Sequence, residues 1–384
     1  MRGPATFKIS GAASTTALLV ALAAVTVLPV PRAQAAWPGR NGALLVWGES
    51  RWTQKGDSNH RGEDPKDCAR WYPRGIKRPR LLARIADDDQ SDSCRAREGV
   101  FRVGPGRFGV RPLTDRWSMG DGDADLSLSP GGTRLAFLRD GRLALASARG
   151  EGRVTWLGVP GGPPRGSAVR SPSWSPDGAR LVYEQSSPGP TDGGFETRRS
   201  LIRIVRANGR GTRTLTVGCG PTWSVRGLVA FYRVPPGRYS TEGCATSTTR
   251  EAGLFTMRPD GTHLRRIVRG SLVPPADAQR SLSWSPDGKA LAFVAEDRTF
   301  VSPLSWLYRV GANATGLRRV AQSIGGRDIE MRHPIWSPDG RLIAFGSGSS
   351  DTYTVPSNPG EPVGYSRWRK VVAHGQLLDW ESWR

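Results

Sequence analysis

Residues 281–293 read Ser-Leu-Ser-Trp-Ser-Pro-Asp-Gly-Lys-Ala-Leu-Ala-Phe, SLSWSPDGKALAF. A short apolar strand ends at Trp284-Ser285, Pro286 presets φ for a turn, and Gly288 accepts the positive φ that closes it. The run that follows alternates, placing Leu291 and Phe293 on one face of a second strand. The stretch is therefore a β-hairpin with its turn written in. Related copies stand at 126–137 (LSLSPGGTRLAF), 172–183 (PSWSPDGARLVY), 221–231 (PTWSVRGLVAF) and 334–345 (PIWSPDGRLIAF). Five copies spaced by about 46 to 61 residues form an internal repeat.

After each copy comes a variable loop and a second hairpin, as in Gly253–Ile267 and Trp306–Val320, so one unit predicts a four-stranded antiparallel sheet. Two half-copies sit at the ends. Asn41–Trp47 matches only the second half of the motif, and Leu377–Trp380 only the first. Four-stranded units at this period are propeller blades, and a repeat split between the termini is what ring closure requires. Second strands are expected at 43–47, 134–138, 180–184, 228–232, 290–294 and 342–346, six in all, and inner strands also number six. The expected fold is all-β: a six-bladed β-propeller of four-stranded antiparallel blades, closed by a terminal clasp. Trp174, Trp223, Trp284, Trp336 and Trp380, with Leu128 in the sixth place, repeat one position, and Phe137, Tyr183, Phe231, Phe293, Phe345 and Trp47 another. They read as the apolar core between blades.

The W-S-P-D-G-x-x-[LIV]-A-F repeat, with its later LY-type strand and DG turn, resembles the TolB-like propeller repeat, a relative of the WD-repeat class. The resemblance runs from about Trp37 to Trp383. Proteins that carry it include the periplasmic TolB component of an envelope system, the propellers of prolyl-oligopeptidase-type peptidases, and oligogalacturonate lyases. It implies the fold, and it spans binding proteins and enzymes alike. No α/β domain is expected before the propeller, a departure from TolB. The clustered metal-binding histidines of the lyases find no residue-by-residue match.

The N-terminus reads as an export signal: Arg2 and Lys8, an apolar segment from Ala17 to Val30, and Ala33-Gln-Ala35 as a small-x-small cleavage site. That places a signal peptide at 1–35 and the propeller at 36–384. Fourteen apolar residues fall short of the ~20 that a membrane-spanning helix needs, so no membrane span is expected. The expected location is secreted or periplasmic. Without Arg2, Lys8 and Arg32, 52 basic residues face 34 acidic ones, a formal +18 carried mostly by arginine. Such a surface attracts anions, so the expected partner is an envelope protein or an anionic cell-wall polymer, with no nucleic acid. The plainer alternative is that the charge only maintains solubility. The chain is expected to be a monomer.

Antiparallel connectivity puts the Pro-Asp-Gly and later DG turns on one face, and the long connections on the other. The loop face holds the largest insertion, 49–98 in the first blade, and loops on rigid scaffolds are where binding resides. Cys68 and Cys94 lie inside it. Cys219 and Cys244 flank the first hairpin of the 221–231 copy, so Cys68 with Cys94 and Cys219 with Cys244 are the expected disulfides, each closing a loop of about 25 residues. Arg70, Arg74, Lys77, Arg78 and Arg80 make the first insertion the candidate binding loop. The residues entering the inner strands are Asp125, Ser171, Gly220, Ser281, His333 and Leu377. Of these, Asp125 and His333 are the candidate channel-mouth residues. The set is too mixed for a catalytic, metal or cofactor assignment. Asp121–Asp125 opens like a calcium loop but has Leu126 where that loop needs glycine. No G-x-S-x-G occurs, and no hydrolase domain is expected. The expected function is a non-catalytic exported binding or scaffold protein of the envelope. The alternative is a polysaccharide lyase or hydrolase at the channel mouth.

Overall fold

The computed structural model describes residues 40–49, 98–103, 110–112, 125–139, 141–148, 154–157, 167–192, 195–233, 252–270, 272, 282–297, 304–323, 331–347, 351–372 and 376–383. Its strands form six sheets. Sheet 1 joins the two ends of the chain: β1 (Arg40–Glu49), β2 (Glu98–Val103) and β3 (Val110–Pro112) take β25 (Gln376–Trp383) on the free side of β1. Sheet 2 is β4 (Leu126–Leu128), β5 (Arg134–Arg139), β6 (Arg142–Ser147) and β7 (Thr155–Trp156). Sheet 3 is β8 (Ala168–Trp174), β9 (Arg180–Asp192), β10 (Phe195–Arg206) and β11 (Arg213–Val217). Sheet 4 is β12 (Cys219–Trp223), β13 (Val229–Arg233), β14 (Gly253–Met257) and β15 (Arg265–Arg269).

Sheet 5 is β16 (Leu282–Trp284), β17 (Ala290–Asp297), β18 (Leu304–Gly311) and β19 (Arg318–Gln322). It also takes a fifth strand, β23 (Val363–Gly364), which pairs with β19 in parallel. Sheet 6 is β20 (Arg332–Trp336), β21 (Leu342–Gly346), β22 (Thr352–Pro356) and β24 (Arg369–Val372). Five sheets are thus four-stranded and one is five-stranded. Sheet 6 lacks the tight second hairpin of its neighbours, because Pro356, Pro359 and Pro362 punctuate the link between β22 and β24. That link crosses to sheet 5 as β23 and returns through Trp368, which is buried edge-on against Phe345 at 4.8 Å.

The inner strands touch one another in a cycle: β25, β4, β8, β12, β16, β20 and back to β25. This is a β-propeller of small antiparallel sheets. Four of the described cores lie between two consecutive sheets, and the alternation of one strand explains them. In β17, Ala290, Ala292 and Val294 face sheet 6, while Leu291, Phe293 and Ala295 face sheet 4. The four described wedges then repeat one rule: a small face meets a large one. Ala136 packs in a cluster with Trp174 and Tyr183, Val182 with Trp223 and Phe231, Ala230 with Trp284 and Phe293, and Ala292 with Trp336 and Phe345. The Ala-Phe pair of the motif is therefore a spacer and a filler on opposite sides of one strand. Indoles also reach across, Trp174 Nε1–H to the Ser127 carbonyl and Trp284 Nε1–H to the Thr222 carbonyl.

The serine of the motif has one task common to all five copies. Its hydroxyl accepts the N–H of the residue four or five positions on, at or just before the start of the next strand: Ser129 from Arg134, Ser175 from Arg180, Ser224 from Leu228, Ser285 from Ala290 and Ser337 from Leu342, at 2.8–3.0 Å. Where the aspartate is present, its Oδ1 takes the serine's proton and a backbone N–H two residues on, as at Asp287 with Ser285 and Lys289. Ser285→Ala leaves the buried Ala290 N–H without its acceptor and should lower stability by about 2 kcal/mol. An unchanged denaturation midpoint would show that the turn stands without it.

The motif turns share one face. A Cβ on Gly288 would come within 2.9 Å of Val225 and Arg226 in the preceding turn, at a φ of +65° that already favours glycine. Arginines cross between sheets here. Arg134 Nη2–H donates to the Gly178 carbonyl (2.6 Å), Arg213 to Pro259 (2.8 Å), Arg226 to Asp287 (2.8 Å) and Arg265 to Asn313 (2.9 Å). Part of the arginine excess therefore clamps one sheet to the next.

Candidate functional site

The ring of inner-strand entries is where the chemistry-bearing residues meet. In the three inner strands whose entry residue precedes proline, the entry is a bulge. Register slips between Arg170 and Ser173, between Cys219 and Thr222, and between Arg332 and Ile335. Each bulge carries a residue followed by proline, and that residue is left-handed: Ser171 at φ +50°, Gly220 at +57° and His333 at +50°. Glycine at one of the three shows what the backbone prefers. Serine and histidine there bear roughly 1–2 kcal/mol of strain, which only a well-packed surrounding sustains.

The bulged amides are claimed by carboxylates of the preceding sheet. Ser171 N–H donates to Asp125 Oδ2 at 2.7 Å, and Gly220 N–H to Glu184 Oε2 at 3.0 Å. One step earlier in the ring, Leu128 N–H donates to Asp379 Oδ2 at 2.9 Å. Three consecutive junctions, from sheet 1 to sheet 4, are thus stitched by a buried carboxylate on a backbone amide. Serine hydroxyls do related work elsewhere: Ser173 Oγ accepts Trp223 N–H, and Ser283 Oγ accepts Trp336 N–H.

Glu184 is held by a second donor. Its Oε1 accepts the Ser200 hydroxyl at 2.7 Å. Burial pushes its carboxyl above the usual range, against the pull of Ser200, the Gly220 N–H and the Arg170 charge, and the Asp125 charge adds to the rise. Burial also raises the Tyr183 phenol beside it, with the Arg203 charge pulling the other way.

The structure brings Asp125 together with Ser171, and adds Glu184, which the sequence reading missed. A signal was present. The residue after the repeated aromatic is Leu138, Glu184, Tyr232, Val294 or Gly346, so one carboxyl stands in an otherwise uncharged column. His333 lies on β20, two junctions away from Asp125 around the ring. Among the described residues no three His, Cys, Asp or Glu side chains are placed to hold a metal ion. Cys219 opens β12, whereas Cys68, Cys94, Cys244, Arg70, Arg74, Lys77, Arg78 and Arg80 lie outside the described residues. Among the described residues no helix is long and apolar enough to cross a membrane.

Fold and site together define a β-propeller whose inner ring is laced by side chains. No family of known proteins and no curated protein matches the chain. Solved structures do. TolB from Acinetobacter baumannii is 13% identical with a TM-score of 0.50, covering 74% of this chain and 62% of that one. A putative TolB from Agrobacterium tumefaciens is 19% identical with a TM-score of 0.44, over 63% and 79%. An oligogalacturonate lyase in complex with manganese is 17% identical with a TM-score of 0.47, over 72% and 71%. At such identities the likeness shows the propeller fold alone.

Proposed function

We propose that the chain is an exported, TolB-like binding protein of the cell envelope, a six-bladed propeller without catalytic activity that recognises an envelope protein or an anionic cell-wall polymer on its loop face. One observation carries the non-catalytic reading: Asp125, Glu184 and Asp379, the buried carboxylates of the inner ring, each accept a backbone N–H from the next sheet. Groups committed to holding strands are poorly placed to shuttle protons to a substrate. The alternative lyase or hydrolase would have to displace one of them. Six sheets and the closed cycle of inner strands support six blades, and the pairing of β25 with β1 supports the clasp. The signal-like first 35 residues support secretion or a periplasmic location. Cys68 with Cys94 and Cys219 with Cys244 would then staple the loop face.

The test is capture from envelope fractions at low and high salt. A loop variant, Arg74→Glu with Lys77→Glu and Arg78→Glu, should lose captured partner about tenfold at low salt, because exposed charges steer association and are screened by salt. Capture that ignores both the substitutions and the salt would remove the loop face from the function.

A further inference from the structure

The turn face, opposite the loops, carries a device of its own. Arg213 reaches from sheet 3 to the carbonyls of Pro259 and Asp260, Arg226 from sheet 4 to that of Asp287, and Arg265 from sheet 4 to that of Asn313. All of these acceptors are neutral backbone carbonyls, so the guanidinium groups are fixed in direction without an ion pair at the fixing atom, although the Asp287 carboxylate also acts on the Arg226 charge. A guanidinium has five N–H donors in a planar fork, and each of these arginines uses one or two. The remainder stay available to an anion.

The carboxylates of this face are turned into their own turns. Asp177 and Asp287 each accept a serine hydroxyl and a backbone N–H, and Asp260 accepts both the N–H and the hydroxyl of Thr262. Over the turns of sheets 3 to 5 (176–180, 206–213, 225–228, 258–265, 286–289 and 311–318) nine Lys and Arg side chains stand against three carboxylates. The positive excess survives even if each carboxylate cancels one of them. Arg210 and Arg258, at the hairpin tips of sheets 3 and 4, are exposed between the pinned arginines.

We propose that this turn face binds a linear polyanion, whose repeating phosphate or carboxylate groups meet a row of arginines set at the spacing of the blades. The row is preorganised, since its side chains are already ordered by the clamps that join the sheets, and ordering them on binding loses little further entropy. The site is independent of the loop face and does not rest on the reading given above.

The experiment measures binding of inorganic polyphosphate and of polygalacturonate to the purified full-length protein in low salt (about 50 mM) and higher salt (about 300 mM). Wild type should bind at least one of them at low salt, more than tenfold more weakly at high salt, and the tighter probe identifies phosphate or carboxylate as the group read. Arg210→Glu with Arg258→Glu should weaken binding about tenfold while leaving the melting temperature in place. Arg367→Glu with Arg369→Glu, the same change of charge at exposed positions outside the turns of sheets 3 to 5, should bind like wild type. Arg213→Lys with Arg265→Lys keeps the charge but loses the fork, and should weaken binding several-fold. No binding of either polyanion at low salt overturns the site. Equal losses in the turn variant and in the Arg367/Arg369 variant overturn it too, by reducing the effect to net charge. Lysine variants that bind like wild type overturn the preorganised row.

Discussion

Removing residues 377–384 is expected to abolish cooperative unfolding of the whole propeller. The C-terminal strand β25 is the inner strand of sheet 1, paired antiparallel with β1 from Arg40 opposite Trp383 to Trp47 opposite Gln376. It also closes the ring in both directions: β25 touches β20 of sheet 6 and β4 of sheet 2, and Asp379 accepts the Leu128 N–H. Truncation therefore removes three supports at once. Sheet 1 keeps β1 to β3 with an open edge, the Leu128 amide loses its acceptor, and the flanks of sheets 6 and 2 that met β25 are exposed. In a ring each sheet is wedged by both neighbours, so the loss is not confined to one of them. The expected penalty exceeds about 5 kcal/mol, the stability of an entire marginal domain. The readout is a single sharp melting transition in the full chain against a broad, aggregating one in the truncated chain. A truncated protein that melts like its parent would show that the terminal strand does not close the ring.

What could be read from the sequence, and what could not, divides along the range of the interactions. Strand positions and turns are properties of neighbouring residues: Ser285, Pro286, Asp287 and Gly288 close their own turn, and alternation sorts Leu291 from Ala292. The second strands expected at 134–138 and 342–346 appear as β5 and β21, the latter two displaced by no more than a residue at either end. The small-against-large wedge was half legible, since the aromatic column was evident but its alanine partners lie one blade away. Glu184 and the arginine clamps were missed because their partners are set by the ring. Nothing near Arg213 in the chain announces Pro259, 46 residues on, as its acceptor. The long β9–β10 hairpin was also missed, since Pro188 and Pro190 argue against an extended pair. At the inner ring, Asp125 was singled out by its position before an inner strand, yet its hydrogen bond to the Ser171 amide depends on a bulge that only the Ser-Pro and Gly-Pro pairs hint at.

Glu184 yields the second large effect, and its sign depends on pH. Because burial raises its carboxyl in the folded chain, the native state holds that proton more tightly than the unfolded one does. The stability linked to it is greatest below the ordinary glutamate value of 4.5, and declines as pH climbs through the raised folded value. Asp177 and Asp287 act in the opposite sense. Burial is the largest single influence on each and works upward, but serine, backbone and cationic partners together hold both carboxyls below the usual range, so their contribution is lost as pH falls. Both lie largely in solvent, so their share is small. Glu184→Gln separates the two effects. Its amide oxygen can accept the Gly220 N–H and its NH2 can donate to Ser200 Oγ, so the stitch between sheets 3 and 4 is kept while the titration is removed. The melting temperature of Glu184→Gln should match wild type near pH 4.5 and exceed it by a widening margin toward pH 8. Glu184→Ala, by contrast, strands the buried Gly220 N–H and the Ser200 hydroxyl and should lose about 3 kcal/mol across the range. If the margin of Glu184→Gln narrows as pH rises, or Glu184→Ala is as stable as wild type, the carboxyl is not the proton-holding link that joins the two sheets.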